Sequence, residues 1–248
     1  MNKYIKGMAS AFSFFTVIPL RGNYEINSYT MYYITFTGLA VGLIAAIPYY
    51  FISNYSSIAA SAVAVSIIIL LYGFNHFDSI MDFGDSVMVR GKEEKQRVIK
   101  DKYTGSGGTG LAFVVYITSI AFLTYFSPLE GFFTIISGEI VSKYATMISM
   151  YRSKPFGEGL GKIFIEKINK NAIILNIIPL ILAFAFNLYN MAIAFIVIIL
   201  AYLLKSTMEK HYGGINGDLI GSTGEISRLL FYIISFIFIA LKLNLFLL

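Results

Sequence analysis

Residues 31–52 read "MYYITFTGLAVGLIAAIPYYFI", a stretch without a single charge. A membrane-spanning helix needs about 20 consecutive apolar residues, so this segment predicts one. Similar runs follow at 57–75, 109–127, 131–150, 171–187, 190–205 and 226–247. Of the 248 residues, 57% are hydrophobic and 13% charged, against about 25% charged in soluble domains. A soluble fold of this length could not hide so much apolar surface. The sequence therefore predicts an all-α protein, a polytopic transmembrane helical bundle. It would have about seven membrane helices plus an N-terminal interfacial or short membrane segment, with residues 1–248 forming a single integral membrane domain.

The N-terminus, "MNKYIKGMASAFSFFTVIPLRG", has the basic start and apolar run of a signal peptide. It lacks a good small-residue cleavage site, and Pro19 and Arg21 end the run, so it reads as retained. Cysteine is absent, which excludes disulfides and cysteine-based metal sites. Tryptophan is absent too, so an interfacial aromatic belt must come from tyrosine. The net charge of +5 reads as loop bias rather than as nucleic-acid binding.

The connections near 53–56, 128–130 and 187–189 are short and contain no Lys or Arg. Those at 76–108, 150–170 and 205–225 are long and basic, and they alternate with the short ones. The positive-inside rule places the long loops in the cytoplasm, with Lys242 a minor exception. Most of the unusual polar residues fall in these loops. A transporter would be expected to carry some near the midplane, often on broken helices.

The first polar constellation is "HFDSIMDFGD", residues 76–85. Asp78, Asp82 and Asp85 stand at i, i+4 and i+7, one face of a helix, where they repel each other. A hard divalent cation would offset that repulsion, and Mg²⁺ is bound by one or two carboxylates plus phosphate oxygens. The other reading is a solvated acidic helix end. His76 fits a hydrogen-bonding role better than a ligand role. The second constellation, "KDKYTGSGGTG" at 100–110, could offer backbone N–H groups to phosphate beside Lys100 and Lys102, or be a flexible turn. It matches neither the Walker A nor the dinucleotide pattern. Next, "YRSKPFGEGLGKIF" at 151–164 places Arg152 and Lys154 where they could clamp phosphate or anchor at headgroups. In "GGINGDLIGSTGEISR", 213–228, Asp218 and Glu225 could share a helix face, although Glu225 also suits an ordinary helix N-terminus. Glu139 and Lys143 form an i, i+4 pair inside an apolar run, where ionisable residues are functional candidates; Lys143 could also snorkel.

Taken together and in this order, the motifs resemble the cobalamin synthase family, the adenosylcobinamide-GDP ribazoletransferases. The family's segment of the form His-Leu-Asp-Gly-Leu-Xaa-Asp-Xaa-Xaa-Asp-Gly is similar to "HFDSIMDFGDS": His76, Asp78, Asp82 and Asp85 match, while Ser79 and Ser86 replace two glycines. Lys100, Asp101 and Gly105 match the following segment. Tyr151, Arg152, Glu158, Gly159, Leu160, Gly161 and Phe164 match the third. Gly213, Gly214, Gly217, Asp218, Gly221 and Glu225 match the last, with Asn216 in place of Thr. "FFTVIPL" looks like the family's opening, and Lys143 falls where an Arg often sits. The resemblance spans essentially the whole chain.

The resemblance implies a Mg²⁺-dependent phosphotransfer in the cell membrane, with the active site on the cytoplasmic face. Adenosylcobinamide-GDP would be joined to α-ribazole, or its 5′-phosphate, with release of GMP, late in cobalamin biosynthesis. Asp78 and Asp82 would be metal ligands, and Asp85 a third ligand or the general base. His76 would orient a carboxylate or a substrate group. Lys100, Asp101, Gly105, Gly107, Gly108, Arg152, Asn216, Asp218 and Glu225 would bind substrate, Asp218 with a metal contact in reach. Partners are the two substrates and the lipid bilayer, with no nucleic acid; a homo-oligomer is compatible. Two rivals remain. A CDP-alcohol phosphotransferase would need an Ala-Arg after the first Asp-Gly and a later Asp pair, both missing here. A cation-coupled carrier would use Asp78, Asp82 and Glu139.

Overall fold

The computed structural model describes residues 2–18, 20, 25–184 and 188–241. Pro19, Arg21, Lys242 and the ends of the apolar runs 171–187 and 226–247 lie outside the described residues. The helices are α1 (Lys3–Phe15), α2 (Ile34–Ile52, entered through a 3₁₀ turn, Thr30–Tyr33), α3 (Ser57–Leu71), α4 (Asn75–Met88), α5 (Lys92–Val98), α6 (Ser106–Leu123), α7 (Pro128–Met150), α8 (Leu160–Lys167), α9 (Lys170–Leu175), α10 (Ile177–Phe184), α11 (Leu188–Tyr212) and α12 (Gly217–Ala240). The sole β-type pairing among the described residues is an isolated bridge between Pro155 and Ile215. The all-α expectation holds, and the protein is a multi-pass membrane protein.

Among the described residues, four helices can cross a membrane by length and composition: α2 with its 3₁₀ turn, α6, α11 and α12. A fifth appears if α3 and α4 count as one broken span. Seven spans are therefore not confirmed, for identifiable reasons. The run 57–75 ends early because Gly73 and Phe74 both adopt left-handed backbone, with φ of 61° and 62°. That conformation costs a non-glycine residue about 1–2 kcal/mol. It turns the chain by 93°, so α4 leaves the direction of α3.

The run 171–187 is interrupted at Asn176, whose amide is buried and fully engaged. It accepts from the Thr35 backbone N–H and hydroxyl, both at 2.8 Å, and donates to the Met31 and Ala172 carbonyls, both at 2.8 Å. The run 131–150 becomes α7, about 35 Å long at 1.5 Å per residue, but carrying Glu139 and Lys143. It is buried without interruption from Thr134 to Met147, packed among α2, α10, α11 and α12. Its charges therefore face protein rather than lipid.

Close packing makes this arrangement stable. In lipid, helices associate through small residues that let backbones approach. Gly38 and Gly42 of α2 do this against α7: a Cβ on Gly38 would sit 2.6 Å from the Glu139 carbonyl oxygen. At the start of α7, Ser127 and Glu130 form a reciprocal capping box, which satisfies N–H groups that lipid could not.

Candidate active site

The acidic motif lies on α4, with Asp78 exposed and Asp82 half-buried. Asp218 opens α12 and is half-buried beside them. It is held by Asn216, whose Oδ1 caps the helix by accepting from the Leu219 N–H at 3.0 Å. The Asn216 Nδ2 donates to the Asp218 carboxylate at 2.8 Å. Burial pushes the Asp82 carboxyl up to about 7, helped by the negative charges of Asp218, Asp78 and Asp85. Among the described residues no Lys or Arg forms an ion pair with any of these four carboxylates.

Asp85 differs from the rest. One oxygen accepts from the Gly105 N–H at 2.6 Å and the other from the Gly108 N–H at 2.8 Å. It therefore takes up donors that the N-terminus of α6 would otherwise offer to phosphate. Gly107 and Gly108 have a packing reason to be glycine. A Cβ on Gly107 would lie 2.6 Å from the Met88 side chain, and one on Gly108 would strike the Met81 carbonyl. The Gly-rich loop thus seats α6 against α4.

A cavity of about 510 Å³ opens beside the acidic residues, within the range of small-molecule sites. Its wall includes His76, Asp78, Asn216 and Asp218 on one side and Lys100 with Phe156 on another. The Lys100 ammonium lies 5.2 Å from the Phe156 ring centroid. Two backbone bonds fix this wall: Ile215 N–H to the Lys154 carbonyl at 2.8 Å, and Phe156 N–H to the Ile215 carbonyl at 3.1 Å. They join the third and fourth sequence motifs, 60 positions apart, at one edge of the cavity.

The structure thus gathers His76, Asp78, Lys100, Asn216 and Asp218 around the cavity, with Asp82 within electrostatic reach. Other predicted residues lie elsewhere. Asp101 is exposed and accepts from the Tyr103 N–H at 3.3 Å. Arg152 is exposed, with left-handed backbone (φ 56°) and its guanidinium 5.4 Å from the Tyr151 ring centroid. Glu225 is buried two turns into α12 from Asp218, where it accepts from Tyr116 at 2.9 Å and pairs with Arg228. Arg228 also donates to Glu139 at 3.3 Å, and Glu139 accepts from the Tyr72 hydroxyl at 2.8 Å.

Glu139 and Lys143 therefore serve different partners. Lys143 reaches His76, with Nζ 2.6 Å from Nε2. Burial, followed by the Lys143 charge, holds the His76 imidazole well below its usual range. Sequence reasoning missed Arg228 and Tyr72. Arg228 carried a signal, since it is an arginine entering an apolar run three residues after Glu225. Tyr72 carried none, and the same holds for Phe14 and Phe15, which α1 contributes to the cavity wall.

A polytopic helical bundle with a cavity lined by carboxylates and a lysine fits a membrane enzyme. A sequence profile of the cobalamin-5-phosphate synthase family matches residues 7–236, and the chain belongs to that family. It is a transferase of cobalamin biosynthesis. Three relatives are described as adenosylcobinamide-GDP ribazoletransferase. The Picrophilus torridus protein is 38% identical over 91% of this chain and 95% of its own length. That of Thermoplasma acidophilum is 35% identical over 94% and 92%. That of Archaeoglobus fulgidus is 33% identical over 88% and 91%. No solved structure matches the chain.

Proposed function

We propose that the chain joins adenosylcobinamide-GDP to α-ribazole, or its 5′-phosphate, with release of GMP. The observation that carries the reading is the pair Asp78 and Asp218 at the wall of a cavity that also presents Lys100, with Asp82 within electrostatic reach of both. Carboxylates left without a protein cation are built to meet one from solution. Among the described residues no three His, Asp or Glu side chains form a ready-made metal cage. That pattern suits Mg²⁺, which keeps near-octahedral geometry from one or two carboxylates completed by water and phosphate oxygens. Asp78 and Asp218 at the cavity wall would hold it, with the Asp82 charge beside them. Bound there, the ion would neutralise pyrophosphate charge as the bridging bond breaks.

This chain's own residues supply the rest. A ribose hydroxyl oxygen forms a bond to the phosphorus on the cobinamide side, the P–O bond to GMP breaks, and the hydroxyl proton passes to a carboxylate. Lys100 balances the charge gathering on GMP. Asn216 keeps Asp218 in place. Asp85, with both oxygens engaged by backbone N–H groups, holds α6 against α4 and is the carboxylate least free to accept that proton. Catalysis of this kind is mostly positioning and charge stabilisation.

The basic loops 76–108, 150–170 and 205–225 argue that the cavity opens to the cytoplasmic face of the cell membrane. The carrier reading loses its third cation site, because Glu139 is paired with Arg228 in the bundle interior. A product assay on detergent-purified protein tests the proposal. Adenosylcobinamide-GDP, α-ribazole and Mg²⁺ should yield the joined cobamide and GMP by mass spectrometry, with product lost on chelation. Folded protein that makes no product and ignores chelator would refute the reading.

A further inference from the structure

The bundle interior contains a cation that the transfer reaction does not obviously need. Lys143 is 1% exposed, in the middle of α7. Its ammonium lies 3.5 Å from the centroid of the Tyr72 ring, close enough for a strong cation–π contact. The Tyr72 hydroxyl is tied to Glu139, and Glu139 to Arg228, which also pairs with Glu225. Glu139 and Glu225 supply two negative charges. Arg228 and Lys143 supply two positive ones. With Lys143 protonated these four charges sum to zero, the balance that favours charges removed from water.

The Lys143 Nζ also lies 2.6 Å from the His76 Nε2. An ammonium has three donors and no acceptor, so Nε2 must present its lone pair. An imidazole that accepts at Nε2 carries its single proton on Nδ1. That second nitrogen faces Gly221 of α12, where a Cβ would lie 3.2 Å from Nδ1 and would strike the Ser79 hydroxyl. His76 and Gly221 both line the cavity. Glycine at 221 lets the α12 backbone pack closely against Ser79 and the Nδ1 edge of the imidazole.

We propose that Lys143 is a positioning residue, which locks His76 in its Nδ1–H tautomer at the cavity wall and so presents that N–H to an anionic phosphate oxygen of the substrate. The proposal rests on the phosphotransfer reading above for the identity of the acceptor. In it His76 is a hydrogen-bond donor. Its lone pair is already committed to Lys143, so the ring is not the base that takes the hydroxyl proton. The cavity wall and the bundle interior become one unit, running from Glu225 through Arg228, Glu139, Tyr72 and Lys143 to His76.

The chain has two histidines, so a spectrum of protein labelled with ¹⁵N-histidine holds two sets of ring signals, and His76→Gln assigns them. In the wild-type protein in detergent, His76 should show a bare Nε2 and a protonated Nδ1. Lys143→Met should release the lock, giving a mixture with Nε2–H. In the transfer assay it should lower kcat about 100-fold through misplacement of the donor, with KM near the wild-type value. Lys143→Arg, which still donates, should keep the bare Nε2 and recover part of kcat.

A wild-type His76 with Nε2–H would overturn the proposal. So would a Lys143→Met protein with an unchanged tautomer or full kcat. If Lys143→Met fails to fold, the wild-type and Lys143→Arg spectra decide. The expected tautomer in a protein that makes no cobamide would refute the transferase reading and leave the lock standing.

Discussion

Two groups of ionisable residues meet on α12 and behave oppositely. At the cavity, Asp78 and Asp218, with Asp82 in electrostatic reach, have no Lys or Arg paired to them among the described residues. Deeper in α12 and α7, Glu139 and Glu225 are matched by Arg228 and Lys143, and each carboxylate also accepts from a tyrosine. The deeper group is closed except at Lys143: both carboxylates bond within the group, and Lys143 alone reaches out to His76 at the cavity wall. The cavity group is open, and its excess charge awaits a ligand. Within one membrane bundle, charge balance separates what holds helices together from what acts on a substrate. Asp218 and Glu225, two turns apart on α12, fall on opposite sides of that division.

The comparison breaks first at Arg228. Arg228→Met would leave two buried carboxylates facing each other and should destabilise the protein by about 3–5 kcal/mol, seen as a large loss of unfolding temperature in detergent. An unchanged melting temperature would mean that the deeper group is not closed. At the open site, Asp82→Asn should do the reverse. Turnover should fall at least about 100-fold, as for loss of one charge-stabilising group, while the fold is kept or slightly stabilised by relief of repulsion. Near-normal turnover would remove Asp82 from the metal site.

A smaller effect is expected between the two groups. Gly108→Ala should push α6 off α4 and cost about 1–3 kcal/mol, with the Asp85 cap disturbed. If the same variant kept its stability and lost only substrate affinity, the loop would be a phosphate cradle after all.

The smallest expected effect is a pH slope. Asp82 has a carboxyl raised to about 7 in the folded chain, from an ordinary value near 3.8. Between those values the folded state holds more protons than the unfolded one, so stability should fall as pH rises from about 4 to about 7. Mg²⁺ favours the ionised carboxylate and should flatten that slope. Below pH 7 the Mg²⁺ concentration for half-maximal activity should rise by up to about tenfold per pH unit, as one proton is displaced. A stability profile without slope, indifferent to Mg²⁺, would place Asp82 outside the shared charge of the cavity.

Much of this was legible from the sequence. The apolar runs announced helices in lipid, and α2, α6, α11 and α12 are where hydropathy placed them, though α12 begins at Gly217 and absorbs the last motif. The Asp78–Asp82–Asp85 spacing was correctly read as helical. Other features escaped because they depend on single local events or distant partners. Hydropathy does not register two left-handed residues at Gly73 and Phe74, so the 93° turn before α4 was invisible. Nor does it see that Asn176 is satisfied by Thr35, 141 positions away. The loop at Gly105–Gly108 has the composition of a phosphate cradle and of a helix seat alike, and composition does not choose between them.

The sequence by itself determined the solvent, the helical class and the family, because each is written in local composition, period and motif order. Only the tertiary structure decided what each charge is for. Asp85 became a cap because Gly105 and Gly108 fold back onto it. Glu225 left the cavity because Arg228 and Tyr116 meet it inside the bundle. Lys143 came to face His76, 67 positions away, rather than lipid headgroups. In a low-dielectric interior a charge takes its role from whichever partner neutralises it, and that partner is set by packing between helices.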